Sequence, residues 1–467
     1  NAQAAFRHFS RKGSMMRDGM MQIDPEWAWE PYEAQGGLPK RTAAHLLRRA
    51  GFGGSPDELA SIQNLTPSAA VRSLMEQGEA DKNFEEEADS LARVILASGE
   101  PETLSAAWVY RLLHTGNPLL EKCTLFWHGH FATSAAKVQI SKLMWQQNKL
   151  LRKNALGSFA ELVQGIAQDP AMLIYLDSAS NRKTAPNENF ARELMELFCL
   201  GEGKYSEQDV QELARCFTGW EIKNDKFRKN RYQQDRNAKT VLGESGKLDG
   251  EDAIKIVLER EDTALFICRK LVRYFVCDEP ELSDKLLAPL AKLFQDSNLE
   301  IAPVVSRILG SNFFFSAHSI ARKIRSPADF CVGSMRSLKA TTNTFTVAKG
   351  LNSIGQGLFY PPNVKGWDGG RTWINSSTLL GRANLMDQIL SDEKSKFAGG
   401  SLSDFFEAQK VAKSEILDWI DQNTFAVPLG KAARERLQAL LDEAGDWNKR
   451  LRNTLQASFS LPEYQLG

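Results

Sequence analysis

The stretch Pro186-Asn187-Glu188-Asn189-Phe190-Ala191-Arg192-Glu193-Leu194-Met195-Glu196-Leu197-Phe198 separates into two faces when wound at about 100° per residue. Phe190, Ala191, Leu194, Met195, Leu197 and Phe198 fill one side, while Glu188, Asn189, Arg192, Glu193 and Glu196 share an opposite arc of about 140°. The spacing predicts a helix over 188–200, introduced by Asn187 and closed by Gly201. Few runs anywhere in the chain alternate with period two, so strands should be rare. The expected fold is mainly α: a large multi-helical domain with long irregular loops and few or no strands beyond a possible hairpin.

Working outward, the same punctuation recurs. Ser55-Pro56-Asp57-Glu58 starts a helix, with Ser as cap, Pro in the first turn and acids at the positive end. Ser206 and Asp209 have capping-box spacing. Asn117-Pro118 opens a helix expected to end at Trp127. Further helices are expected over 136–153, 156–168, 206–218, 250–259, 262–276, 281–295, 300–309, 326–339 and 376–391. Residues 1–40 read as an irregular arm with two surface tryptophans, Trp27 and Trp29. Residues 41–395 form the main helical domain. It is interrupted by a basic loop or hairpin at 221–249 and a Gly/Pro/Trp loop at 340–375. Residues 396–467 read as a C-terminal helical appendix.

The chain has 467 residues, with 58 basic and 58 acidic groups, 42% hydrophobic residues and 25% charged residues. This composition excludes disordered and collagen-like chains. Zero net charge argues against coating of nucleic acid or anionic lipid. No stretch approaches the roughly 18 apolar residues of a membrane span. Arg7, Arg11, Lys12 and Arg17 are not followed by an apolar run, so no signal peptide is read, and the compartment stays open. None of the six cysteines has C-x-x-C spacing, and most lie in apolar helical patterns and read as small buried hydrophobes. Gly243-Glu244-Ser245-Gly246-Lys247 lacks the spacing of a phosphate-binding loop.

Three segments could carry chemistry. On the helix 188–200, Arg192 stands four residues from both Glu188 and Glu196. Three acids around one arginine can shift pKa values or hold a cation. Glu188, Arg192, Glu193 and Glu196 are therefore catalytic candidates, with Asn187 and Asn189 beside them for substrate. In Phe126-Trp127-His128-Gly129-His130-Phe131 an extended backbone would aim His128 and His130 to one side as ligands of a divalent metal. In the loop Tyr360–Asn375, Trp367, Asp368, Arg371 and Trp373 could stack on and hydrogen-bond a sugar or other planar ligand. Each segment has a plainer alternative: a solvated ion-pair face, packed histidines, and a loop wedged by its tryptophans.

Together, His45–Gly53, Trp127–Phe131, Asn187–Gly201 with Tyr205–Trp220, and Pro361–Trp373 resemble the bacterial "domain of unknown function 1800" family in order and spacing. The likeness spans roughly Trp27 to Leu390. The resemblance implies a mainly helical domain, often exported and often encoded beside a sulfatase-like protein. It implies no established activity. Many relatives carry a His-Asp pair ahead of the Lys-Thr-x-Leu-Gly segment, where this chain has Gln234-Asp235 before Lys239-Thr240-Val241-Leu242-Gly243. An amide neither titrates near pH 7 nor ligates transition metals well.

Two functions follow from the sequence. One is a hydrolase of a polymer or glycoconjugate, using the acidic helix face as acid and base and the histidines for a metal or proton. The other is a non-catalytic helical scaffold or binding subunit of a multi-protein complex, its charges forming packing networks. Nucleic-acid binding through 223–239 is a weaker third.

Overall fold

The capping signals form as written. Ser55 Oγ accepts from the Glu58 amide at 3.3 Å, and the Glu58 carboxylate accepts from the Ser55 amide at 2.7 Å. The Ser206 and Asp209 box closes in the same way, and Asn117 caps its helix through the Leu120 amide at 3.1 Å. Each bond pairs an amide that the helix itself leaves without a partner. The computed structural model describes residues 15–17, 20–76, 82–98 and 101–467. Helices dominate, and among the described residues the strands form only four two-stranded antiparallel pairs. The basic 221–249 region holds two of these, Trp220–Lys223 with Lys226–Lys229 and Lys239–Val241 with Glu244–Gly246.

Two apolar cores adjoin. The first gathers Trp29, Leu46, Trp127, Phe159, Phe198, Leu271 and Leu290. The second gathers Trp108, Phe330, Leu351, Ile389, Phe405, Ile420 and Leu455. The helix Pro118–His130 lies between them, giving Trp127 to the first and Leu125 to the second. The helices after Gly400 thus share a core with Trp108 and Phe330. All six cysteines are buried and free. Among the described residues, no helix is long and apolar enough to cross a membrane.

The helix Pro118–His130 is bound to its neighbours through a buried charge. Glu121, 1% exposed, takes Arg152 Nε at 2.5 Å, Arg111 Nε at 3.2 Å and Trp108 Nε1 at 2.9 Å. Burial works against its carboxylate, but the Arg152 and Arg111 guanidinium groups outweigh it and hold the carboxyl below its usual range.

Three expectations are corrected. Pro25–Trp29 in the expected irregular arm is a short helix capped by Asp24. Trp29 is buried, with its indole N–H on the Leu286 carbonyl at 2.6 Å, and only Trp27 stays exposed. A buried indole N–H needs a partner, and the Leu286 carbonyl supplies it. Arg7, Arg11, Lys12 and the side chain of Arg17 lie outside the described residues. Within the expected 340–375 loop, Asn343 caps a helix over Thr344–Ser353, and Ala340–Thr341 pairs with Lys396–Phe397. The helix expected to end at Trp127 runs on to His130.

Candidate functional site

The extension of Pro118–His130 decides the histidines. Two residues apart on a helix means about 200° of rotation, so His128 and His130 face opposite cores rather than a common ligand. His128 packs against Trp108, Phe359 and Trp367, with ring centroids 5.2–5.7 Å away. Its Nε2 accepts the Phe359 amide at 3.2 Å. Burial pushes its pKa down to about 3, so the imidazole is neutral. On the other face, His130 Nδ1 lies 3.1 Å from the Lys270 ammonium and Nε2 lies 3.0 Å from the Phe198 carbonyl. The ammonium can only donate, so Nδ1 accepts and Nε2 carries the proton. Burial, and then Lys270, hold this imidazole neutral. The acceptor nitrogen of each ring is thus engaged. Among the described residues no group of three or more His, Cys, Asp or Glu could hold a metal. The expectation of a divalent metal on His128 and His130 is withdrawn on these grounds.

The acidic helix is not one regular cylinder. Asn189–Glu193 is α-helical and Leu194–Cys199 is a π-helix, in which the Leu200 amide reaches back five residues to Met195 at 2.8 Å. The wider turn shifts Glu196 out of register with Arg192. Arg192 pairs instead with Glu188 at 3.1 Å and with Glu207 at 2.8 and 2.7 Å, because the Ser206-capped helix brings Glu207 alongside. Lys270 and His130 serve the end of this helix, meeting the otherwise unpaired carbonyls of Leu197 and Phe198.

Asn187 and Asn189 also have local work. Asn187 Oδ1 accepts the Asn189 amide at 2.9 Å, and their side-chain amides donate to Asp177 and Leu176 carbonyls. The 355–375 loop is wedged in place. Gly366 adopts φ 80°, and a side chain there would run into the Gly129 carbonyl. Trp367 lies over His128, and Trp373 is buried, whereas Asp368 and Arg371 are exposed and Arg371 pairs with Glu279 at 2.7 Å.

The loop reaches Glu193 through the charge of Lys365, whose ion pair is with Glu202 at 4.0 Å. Glu193 is half-buried. Burial first, and then the Glu196 charge, raise its carboxyl above the usual range, with Lys365 opposing. The Glu193 charge also acts on Tyr175, and Glu196 accepts the Tyr205 hydroxyl at 3.0 Å.

A second feature is an open cleft of about 680 Å³ lined by Lys183, Thr184, Arg231, Tyr232, Gln234, Asp235, Arg236 and Asn237. The Lys183 amide binds the Gln233 carbonyl at 2.9 Å, joining the two walls. Asp235 is fixed by Arg215 at 2.8 Å and by its own amide on Thr218 Oγ1 at 2.7 Å. Three other cations of the basic stretch are consumed, Arg228 by Glu221, Lys229 by Glu251 and Lys239 by three carbonyls, while Lys223 and Lys226 are exposed away from the cleft lining. Lys183, Arg231 and Arg236 are exposed, without an ion-pair partner among the described residues, and Tyr232 is 87% exposed. The excess of seven Lys and Arg over two Asp in 223–239 signalled this region. Lys183 and Thr184, which complete it, carried no such signal.

The family described as "Protein of unknown function (DUF1800)" matches residues 45–466. The chain belongs to that family. The match takes in both cores of this DUF1800 chain and runs on through the helices after Gly400. No curated protein and no solved structure matches the chain. Gln234, where the family resemblance places a histidine, stands on the wall of the cleft.

Proposed function

We propose that this DUF1800 chain is a non-catalytic binding subunit that holds an acidic polymer or glycoconjugate in the cleft between residues 183–184 and 231–237. The observation that carries the reading is the set of three exposed cations without ion-pair partners, Lys183, Arg231 and Arg236, around an exposed tyrosine and two amides. Guanidinium groups bind sulfate, phosphate and carboxylate oxygens in pairs, and a phenol ring gives a sugar or other flat ligand a surface to rest on. The volume lies within the range of small-ligand sites, and the open shape suits a segment of a longer chain. The sulfatase-like partner implied by the family resemblance would supply the chemistry.

Binding of a sulfated or uronic polysaccharide, compared with an uncharged one of equal length, tests the reading. Arg231→Ala with Arg236→Ala should weaken binding of the charged polymer at least about tenfold, given about 1.5–3 kcal/mol per charge-assisted hydrogen bond. The reading fails if the neutral polymer binds equally well, or if the double variant binds unchanged.

Glu193 supports a second reading, the hydrolase. A carboxyl above its usual range beside an ionised one is the arrangement of a general acid and its partner base. Here Glu193 would protonate a leaving group while Glu196, held by Tyr205, activates water. Release of reducing ends or free acid from a substrate panel, abolished by Glu193→Gln with unchanged melting temperature, would support it. No release by wild type across the panel would sink it.

A further inference from the structure

We propose that Arg48, at the junction of two small internal cavities, is the centre of a binding site for a monatomic anion of the chloride class. The helix Lys40–Ala50 buries two adjacent arginines, Arg48 at 8% and Arg49 at 4% exposure. Arg48 Nε, Nη1 and Nη2 are all buried, and none has a hydrogen-bond partner among the described residues. A guanidinium stays charged under all ordinary conditions, so proton loss offers no escape from the cost of burying it.

The neighbourhood adds to the deficit of negative charge. Arg48, Phe52 and Arg325 line both cavities, and Arg49, Lys122 and Lys323 line the second. Two of these cations are neutralised: Lys122 by Asp329, and Lys323 by Asp278 at 2.5 Å. Arg49 and Arg325 donate only to main-chain carbonyls, Val276 and Ser319 for the first, Leu466 and Thr424 for the second. Carbonyls satisfy N–H groups without cancelling charge. Asp329, the one carboxylate side chain on the second cavity's wall, is already paired with Lys122, so three guanidinium groups face one small interior with no ion pair of their own among the described residues.

The room available sets the size of the anion. The cavities have volumes of about 10 and 20 Å³. Each holds a single water-sized particle. One halide fits such a space, with water in the neighbouring cavity. A five-atom oxyanion does not fit without displacement of the Phe52 and Arg325 walls. Water alone would fill the space but leave the charge uncompensated. The bound ion would join the helix Lys40–Ala50 to residues 323–325, so its occupancy should register as stability of the whole fold.

Thermal unfolding of the full chain, with sodium chloride exchanged for sodium gluconate at constant ionic strength, tests the site. A saturable rise in melting temperature of about 2–4 °C with chloride is expected, reproduced by bromide. Arg48→Met should show no halide dependence. Should that variant fail to fold, wild-type crystals grown in bromide decide: an anomalous peak at hydrogen-bonding distance from Arg48 supports the site. Absence of both halide dependence and peak leaves water alone in the cavities and overturns the proposal. Equal stabilisation by sulfate at the same ionic strength overturns the monatomic assignment.

Discussion

Asp169 gives a sharp test of how burial controls this fold. It caps the helix Pro170–Tyr175, taking the Met172 amide at 3.0 Å and Gln147 Nε2 at 2.7 Å on the same oxygen. Only 6% of it is exposed, and burial pushes its carboxyl up to about 7, against the pull of the Met172 and Gln147 hydrogen bonds. A raised carboxyl means that the folded state holds its proton where the unfolded state has lost it. Stability therefore falls as pH rises through the window from about 4 to about 7. From an unfolded value of 3.8 to a folded value of about 7, at 1.36 kcal/mol per pH unit, the linkage amounts to about 4 kcal/mol as an upper figure. Asp169→Asn keeps the shape and the acceptor oxygen but cannot ionise. The gap between the urea midpoints of variant and wild type should be small near pH 4.5, where about 1 of the about 4 kcal/mol has gone, and should widen toward pH 8 in favour of the variant. Comparing the two chains at each pH cancels the histidines, which titrate in both. Midpoints that stay parallel from pH 4.5 to 8 would refute the reasoning.

Other substitutions probe the remaining buried groups. Glu121→Ala strands Arg111, Arg152 and the Trp108 indole and should cost about 3–5 kcal/mol in denaturant unfolding. Removing the exposed pair Lys255–Glu259 should change stability by at most about 1 kcal/mol. His130→Ala leaves Lys270 and the Phe198 carbonyl each short of a partner, a loss of about 1–3 kcal/mol by thermal melt. Chelator should leave the wild-type melting temperature unchanged, and a zinc-reversible drop would contradict the geometry of the helix Pro118–His130. Gly366→Ala forces a left-handed backbone and a clash with Gly129, at a cost of about 1–3 kcal/mol seen in the same assay.

Local chemistry was legible in the sequence and long-range pairing was not. Ser55, Asn117 and Ser206 cap helices because the side-chain oxygen and the amide it serves are three residues apart, a distance a reader can count. The pairing of Arg192 with Glu188, four residues away, was equally countable, but its second partner proved to be Glu207, fifteen residues away, where the chain first turns back through Gly201 and Gly203. No periodicity announces such a turn, nor the π-helix that moves Glu196 aside. Gly129 lies within the helix that was expected to end at Trp127, with Trp367 and the Gly366 backbone packed against it, contacts set by a loop more than 200 residues later. Of the site candidates, Glu193 and Glu196 act on one another, and Lys365 of the 355–375 loop acts on Glu193 alone. Arg48 and Arg49 escaped notice for the opposite reason. On a helical wheel two adjacent arginines mark the outside of a helix, and only the tertiary packing of residues 323–325 and 464 turns that side inward.

Arg41 hydrogen-bonds the carbonyls of Asp421 and Phe425, partners 380 and 384 positions further on. During synthesis at about 5–20 residues per second, the segment bearing Arg41 would wait on the order of 20–80 s for those partners to leave the ribosome. Throughout that interval an early helix rich in arginine and leucine has its later neighbours still unmade.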